Sequence, residues 1–125
     1  MQRMNNPDKS KNKIKAATRL KPSERDKERY IAYEIASANP LGWGADKALV
    51  REVNALLGVF MAPKANLACM KYNPEKQRGI LRVNRKFVDC LRTCFAMTKY
   101  INKEGVMIKS IKTSGMIDKV KKYVE

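Results

Sequence analysis

Arg78-Gly79-Ile80-Leu81-Arg82-Val83-Asn84-Arg85-Lys86 alternates with a period of two. Leu81 and Val83 fall on one face, Ile80 and Arg82 on the other, the pattern of a half-buried strand whose open face carries positive charge. From Arg85 and Lys86 onward the apolar residues change to helical spacing. The elements on either side read as two similar halves around this strand, which places it in the middle of a sheet. Its arginines are therefore the first candidates for contact with a polyanion.

Working outward, Arg29 to Ser37 alternates as a first strand, with Ile31, Tyr33 and Ile35 on one side. Asn39-Pro40-Leu41-Gly42 breaks the chain, and Trp43, the single tryptophan, reads as a plug at a core edge. Asp46 is a plausible helix N-cap, after which Leu49, Val53, Leu56, Leu57 and Phe60 form one apolar stripe. Ala62-Pro63-Lys64 is expected to end that helix. Ala65 to Tyr72 gives a second strand and Asn73 to Gln77 a turn into the anchor strand. A second helix runs from about Lys86 to Lys99, with Phe87, Leu91, Cys94, Phe95 and Thr98 on one face and Val88 beside them. Val106 to Thr113 alternates again. Ser114 is placed to cap a short last helix carrying Met116, Ile117, Val120 and Val124 on one side.

The order strand, helix, strand, strand, helix, strand, terminal helix is that of the split βαβ, an α+β ferredoxin-like sandwich. Right-handed crossovers put both helices on one face of a four-stranded antiparallel sheet, with the first and third strands central. The opposite face is left for solvent or a partner. Residues 29–125 make up this one domain, and residues 1–28 read as a basic extension.

The chain holds 27 Lys and Arg against 12 Asp and Glu, a net charge of +15, in 125 residues. Such a balance speaks for an anionic partner, most commonly nucleic acid. No long apolar run or strongly apolar face suggests a membrane, and the first residues lack the apolar core of a signal peptide, so a cytoplasmic protein is expected. There is no histidine, which removes the commonest general base and metal ligand together. Cys69, Cys90 and Cys94 form no CxxC pair. Cys90 and Cys94, four apart, would share a helix face and pack as core, and neither a zinc site nor a disulfide framework is expected. Asp89 and Asp118 each stand alone, without the carboxylate cluster that magnesium needs. Residues 1–29 hold ten basic and four acidic residues with few large apolar side chains. They are expected to be disordered when free and to fold against a polyanion.

An RNA-binding module of this topology, the RRM, reads K/R-G-F/Y-G/A-F-V-x-F/Y along its third strand. Arg78, Gly79 and Val83 match, but Ile80, Arg82 and Arg85 occupy the ring positions. Without rings the sheet does not stack splayed bases. What remains are arginines suited to phosphate, hence a folded RNA held through backbone and shape.

Arg29-Tyr30-Ile31-Ala32-Tyr33-Glu34, then Gly79 to Arg85, then Ser114-Gly115-Met116-Ile117 follow one another as in the archaeal ribonuclease P protein component 2 family, whose eukaryotic counterpart is the Pop-five subunit. The resemblance spans about residues 20 to 124. Pro22, Arg25 and Lys27 resemble the family's basic lead-in, and Met116 departs from its usual threonine. The resemblance implies a subunit of the ribonucleoprotein that removes 5′ leaders from precursor tRNA. It implies catalysis by the RNA, with Mg2+ at the RNA active site and neither catalytic residues nor a cofactor in the protein. It further implies contact with the catalytic domain of the ribonuclease P RNA, pairing with protein component 3 alongside other ribonuclease P subunits, and self-association into a heterotetramer. The RNA-binding candidates are Arg78, Arg82, Arg85 and Lys86 around the anchor strand, Arg25, Lys27 and Arg29 in the lead-in, and Lys64 and Lys112. Trp43 or the Leu57 to Met61 segment could instead form a protein interface, although core packing is the expected use. The competing readings are a general or ribosome-associated RNA chaperone and a small acylphosphatase-type enzyme, which would need an anion cradle that the sequence lacks.

Overall fold

The computed structural model describes residues 28–125. The basic extension expected to be disordered, with Arg25 and Lys27, lies outside the described residues. The chain runs β1 (Glu28–Ser37), α1 (Ala45–Ala65), β2 (Ala68–Asn73), β3 (Arg78–Asn84), a 3-10 turn (Arg85–Phe87), α2 (Val88–Met97), β4 (Tyr100–Ile101), β5 (Glu104–Ser114) and α3 (Asp118–Lys121). The strands form one antiparallel sheet in the order β2-β3-β1-β5-β4. This is the expected ferredoxin-like α+β arrangement, with β1 and β3 interior. A fifth strand of two residues is added where Tyr100–Ile101 folds back on the start of β5.

One layer of core lies between the sheet and α1 and α2. Ile31, Tyr33 and Ile35 of β1, Leu81 and Val83 of β3, Leu49 and Val53 of α1, and Leu91, Cys94 and Phe95 of α2 are buried together. Each such aliphatic or aromatic side chain contributes about 1.5–3 kcal/mol when removed from water.

Two local departures from the expected elements have physical causes. The first helix starts from Gly44, not Asp46, which lies instead in the first turn, where its charge suits the helix dipole. Further on, Gly58 adopts φ 83° and ψ 175°, a region essentially restricted to glycine, and breaks the helix. The expected apolar stripe is only partly core: Leu49 and Val53 are buried and Leu57 packs on the core, whereas Leu56 is exposed and, past the break, Val59 and Phe60 are turned out to water. The break also lets Pro63 sit within the second, short helical piece, so the element reaches Ala65 and β2 begins only at Ala68.

Gly79 has a packing reason for being glycine. A Cβ there would stand 2.5 Å from the Tyr33 hydroxyl and 2.9 Å from the Lys71 carbonyl oxygen. The Tyr33 ring, tilted against Phe95 at 5.8 Å between centroids, fills the space that a side chain would take.

The opposite sheet face is not left open. The segment from Ile117 to Glu125 crosses it as a strap. Val120 and Val124 are fully buried against Ala32 and Ile80, with Tyr30, Ile111, Ile117 and Tyr123 around them. Arg78 donates to the Tyr123 carbonyl at 3.2 Å and Asn73 donates to the Val124 carbonyl at 3.0 Å. Lys76 donates to the Glu125 backbone carbonyl and Lys71 pairs with the Glu125 carboxylate, holding that carboxyl below its ordinary pKa. Ile80, expected on an exposed face, is therefore a core residue.

Candidate nucleic-acid interface

Arg85 and Lys86 emerge where β3 turns into α2. The Asn84 side chain accepts from the Lys86 backbone N–H at 2.9 Å, and its burial fixes the corner. This capping starts a 3-10 turn ahead of α2, so the basic pair points outward instead of continuing either element. Both are exposed, and among the described residues neither has an ion-pair partner.

The sheet register gathers further cations at the same end. Arg29 pairs with Val83, and its guanidinium runs alongside Gly115, the residue after β5. Arg92 of α2 donates to the Thr113 hydroxyl at 3.1 Å, and Thr113 lies across from Ile31. Lys64, exposed in the last turn of α1, leads into β2, whose first residue pairs with Arg82. β1 starts at this end too, so the basic extension joins the domain here. The arrangement is a corner of guanidinium and ammonium groups presented by rigid element ends, suited to phosphate oxygens.

The other sequence candidates sit differently. Arg78 is held by Glu34 at 3.1 Å and by the strap, and Arg82 by Glu28 at 2.8 Å. Each has about a third of its side chain exposed, so their charge is partly neutralised within the fold. Lys112 pairs in register with Ala32 and stands on the strap side, away from the corner. Sequence reasoning missed Arg92; its signal was its place on α2 off the buried stripe of Leu91, Cys94 and Phe95. It also expected Trp43 and the Leu57 to Met61 segment to be core, but Trp43 and Phe60 are 80% and 81% exposed. Cys94 is buried as expected, whereas Cys90 is exposed.

Little here resembles a small-molecule active site. A cleft of about 610 Å3 lies at the far end of the sheet, lined by Phe95, Thr98, Tyr100, Val106, Met107 and Ile108 among others, and Lys99 is its one charged residue. Burial, reinforced by the Asp46 carboxylate, pushes the Cys69 thiol up to about 11, the reverse of an activated nucleophile. Among the described residues no three Cys, Asp or Glu side chains stand together as a metal site, and no helix is long and apolar enough to cross a membrane.

Comparison with known proteins adds an independent line. The profile of the Rpp14/Pop5 family matches residues 29–125. Ribonuclease P protein component 2 of Pyrococcus abyssi is 34% identical over 104 residues, covering 82% of this chain and 88% of that protein. The component 2 of Thermococcus kodakarensis is also 34% identical, over 82% of this chain and 87% of its own length. That of Methanococcus maripaludis is 34% identical over 82% of this chain and 78% of its own length. With a ferredoxin-like fold, and with relatives matched along nearly the whole domain, the chain belongs to the Rpp14/Pop5 family.

Proposed function

We propose that this chain, a protein subunit of ribonuclease P, grips the catalytic domain of the ribonuclease P RNA through phosphate contacts centred on the corner of Arg29, Arg85, Lys86 and Lys64. The observation that carries the reading is the exposed Arg85–Lys86 turn, unpaired among the described residues and fixed by Asn84 beside the start of β1. Arg25 and Lys27 precede β1 directly in the chain and extend the same footprint. Arg78, Arg82 and Lys112 add weaker contacts. Neutralising phosphates lets RNA helices pack closely and lowers the magnesium the RNA needs; Mg2+ belongs to the RNA active site, and the protein supplies no catalytic group. A general chaperone would use the same charge without a dedicated RNA, and the family membership disfavours it.

Replacing both Arg85 and Lys86 by Gln is expected to weaken binding of the ribonuclease P RNA and to flatten its salt dependence by about one unit per lost contact, with an unchanged melting temperature. Unchanged affinity and slope would remove the corner from the interface. Recovery of one dominant RNA that trims precursor tRNA, from the tagged protein in its native cell, supports the dedicated subunit; a broad mixture supports the chaperone.

For protein partners, we assign the exposed Val59–Phe60 turn beside Gly58 to association, either with protein component 3 or between two copies of this chain in a heterotetramer. Phe60→Glu should leave stability within ~0.5 kcal/mol, as surface changes do. It should also abolish the larger species in sedimentation of the reconstituted subunits. A persistent larger species would place those interfaces elsewhere.

A further inference from the structure

We propose that the strap side of the sheet is a second RNA-backbone site, so that one molecule holds two RNA segments, one on each side of its sheet. The proposal rests on the corner being an RNA contact, as read above. The strap closes this face to bases, because Ile80, which occupies a ring position, and its register neighbour Ala32 are fully buried beneath Val120 and Val124. What the closed face presents instead is ammonium groups. With Val120 turned inward, Lys119 and Lys122 are exposed on the outer surface of the strap. Lys112 and Lys109 project beside them from β5, opposite Ala32 and Glu34 of β1.

The acidic residues nearby are already engaged. Glu34 pairs through one oxygen with Arg78 at 3.1 Å and through the other with Lys109 at 3.8 Å, and Asp118 pairs with Lys121 at 3.5 Å, so among the described residues Lys112, Lys119 and Lys122 have no ion-pair partner. Lys122 also lies 5.4 Å from the centroid of the Tyr123 ring, and the strap backbone fixes its origin. Three unpaired lysines on one base-excluding surface suit the phosphates of a duplex, which needs charge and shape and no stacking.

Geometry separates this face from the corner. Arg29 shares the side of Ile31 and Val83, which faces α1 and α2, and Arg92 is on α2 itself. The strap lysines lie across the sheet from them.

The test is native mass spectrometry and sedimentation of the full chain with a short RNA duplex at low salt. It compares the wild type, Arg85→Gln/Lys86→Gln and Lys112→Gln/Lys119→Gln/Lys122→Gln. The expected result is two duplexes per wild-type chain, one per chain of either variant, and a salt slope reduced by about three for the triple variant. A wild type that holds a single duplex overturns the proposal, as does a triple variant that still holds two. If the corner variant alone loses a duplex, this proposal fails while the corner reading stands. A wild type that holds none overturns the corner reading as well.

Discussion

Gly79→Ala tests whether the glycine of the anchor strand serves packing or RNA. Its new Cβ would lie 2.5 Å from the Tyr33 hydroxyl, 2.7 Å from that ring's Cζ and 2.9 Å from the Lys71 carbonyl oxygen. The first two atoms belong to a fully buried ring and the third to the backbone of the paired strand, so none yields without moving a neighbour. Overpacking of this kind costs about 1–3 kcal/mol, and two rigid neighbours place this case at roughly 2–3. Loss of glycine's freedom in the unfolded chain returns only about 0.4–1 kcal/mol. The net, about 1–2.5 kcal/mol, corresponds to a melting temperature lower by roughly 4–20 °C for a domain of this size. Urea and thermal unfolding by circular dichroism measure it. In a Tyr33→Leu background the ring tip is gone, and the same glycine substitution should cost about 1 kcal/mol less, a coupling expected only of groups in contact. RNA affinity of the folded variant should equal that of the wild type. A stability change under ~0.5 kcal/mol, or an identical cost in both backgrounds, would refute the packing account.

Three further outcomes follow from the strap and the thiols. Arg78→Gln removes both the Glu34 pair and the bond to the Tyr123 carbonyl, and should speed amide exchange from residue 117 to 125 while sparing β1 and β5; uniform acceleration across the sheet would show that the arginine supports the whole domain instead. Exposed Cys90 should react with a maleimide well before buried Cys94 and half-buried Cys69. Because the folded Cys69 thiol titrates near 11 against an ordinary value of 9.0, the stability it contributes is complete below pH 9 and is lost as pH rises toward 11. A melting temperature that climbs across that range in the wild type but not in Cys69→Ala would contradict the sign.

The four long strands, the first half of α1 and the whole of α2 were legible because their apolar periods are undisturbed: Ile31, Tyr33 and Ile35, Leu81 and Val83, and Leu91, Cys94 and Phe95 all lie where alternation or helical spacing puts them. Errors came where backbone geometry overrides the side-chain pattern. Leu57 and Phe60 are three apart and read as one stripe, but Gly58 between them leaves the helical region and turns Phe60 outward. Cys90 and Cys94 read as one buried pair, yet only the second reaches the core. The corner was partly legible. Arg85 and Lys86 stood out as a basic pair at a change of period, while the ion pairs that occupy Arg78 and Arg82 depend on Glu34 and Glu28, dozens of residues away in the chain.

The strap shows how a residue at a motif position reports on its neighbours. Ile80 and Arg82 stand where an RNA-stacking sheet would carry rings, and taken alone they say only that stacking is lost. The structure supplies the cause: Ile80 is apolar because Val120 and Val124 cover it, and Arg82 is charged because Glu28 faces it at 2.8 Å. The location of the cover was implicit in the chain. A last helix with Ile117, Val120 and Val124 on one side needs an apolar surface, and a sheet already packed on α1 and α2 has only its other face to offer. Once that face is closed, the cations above it, Lys112, Lys119 and Lys122, have no splayed bases to meet, and on the proposal above they contact the outside of a folded RNA. On that proposal, closure of the sheet and recognition by backbone charge are two consequences of the same short helix.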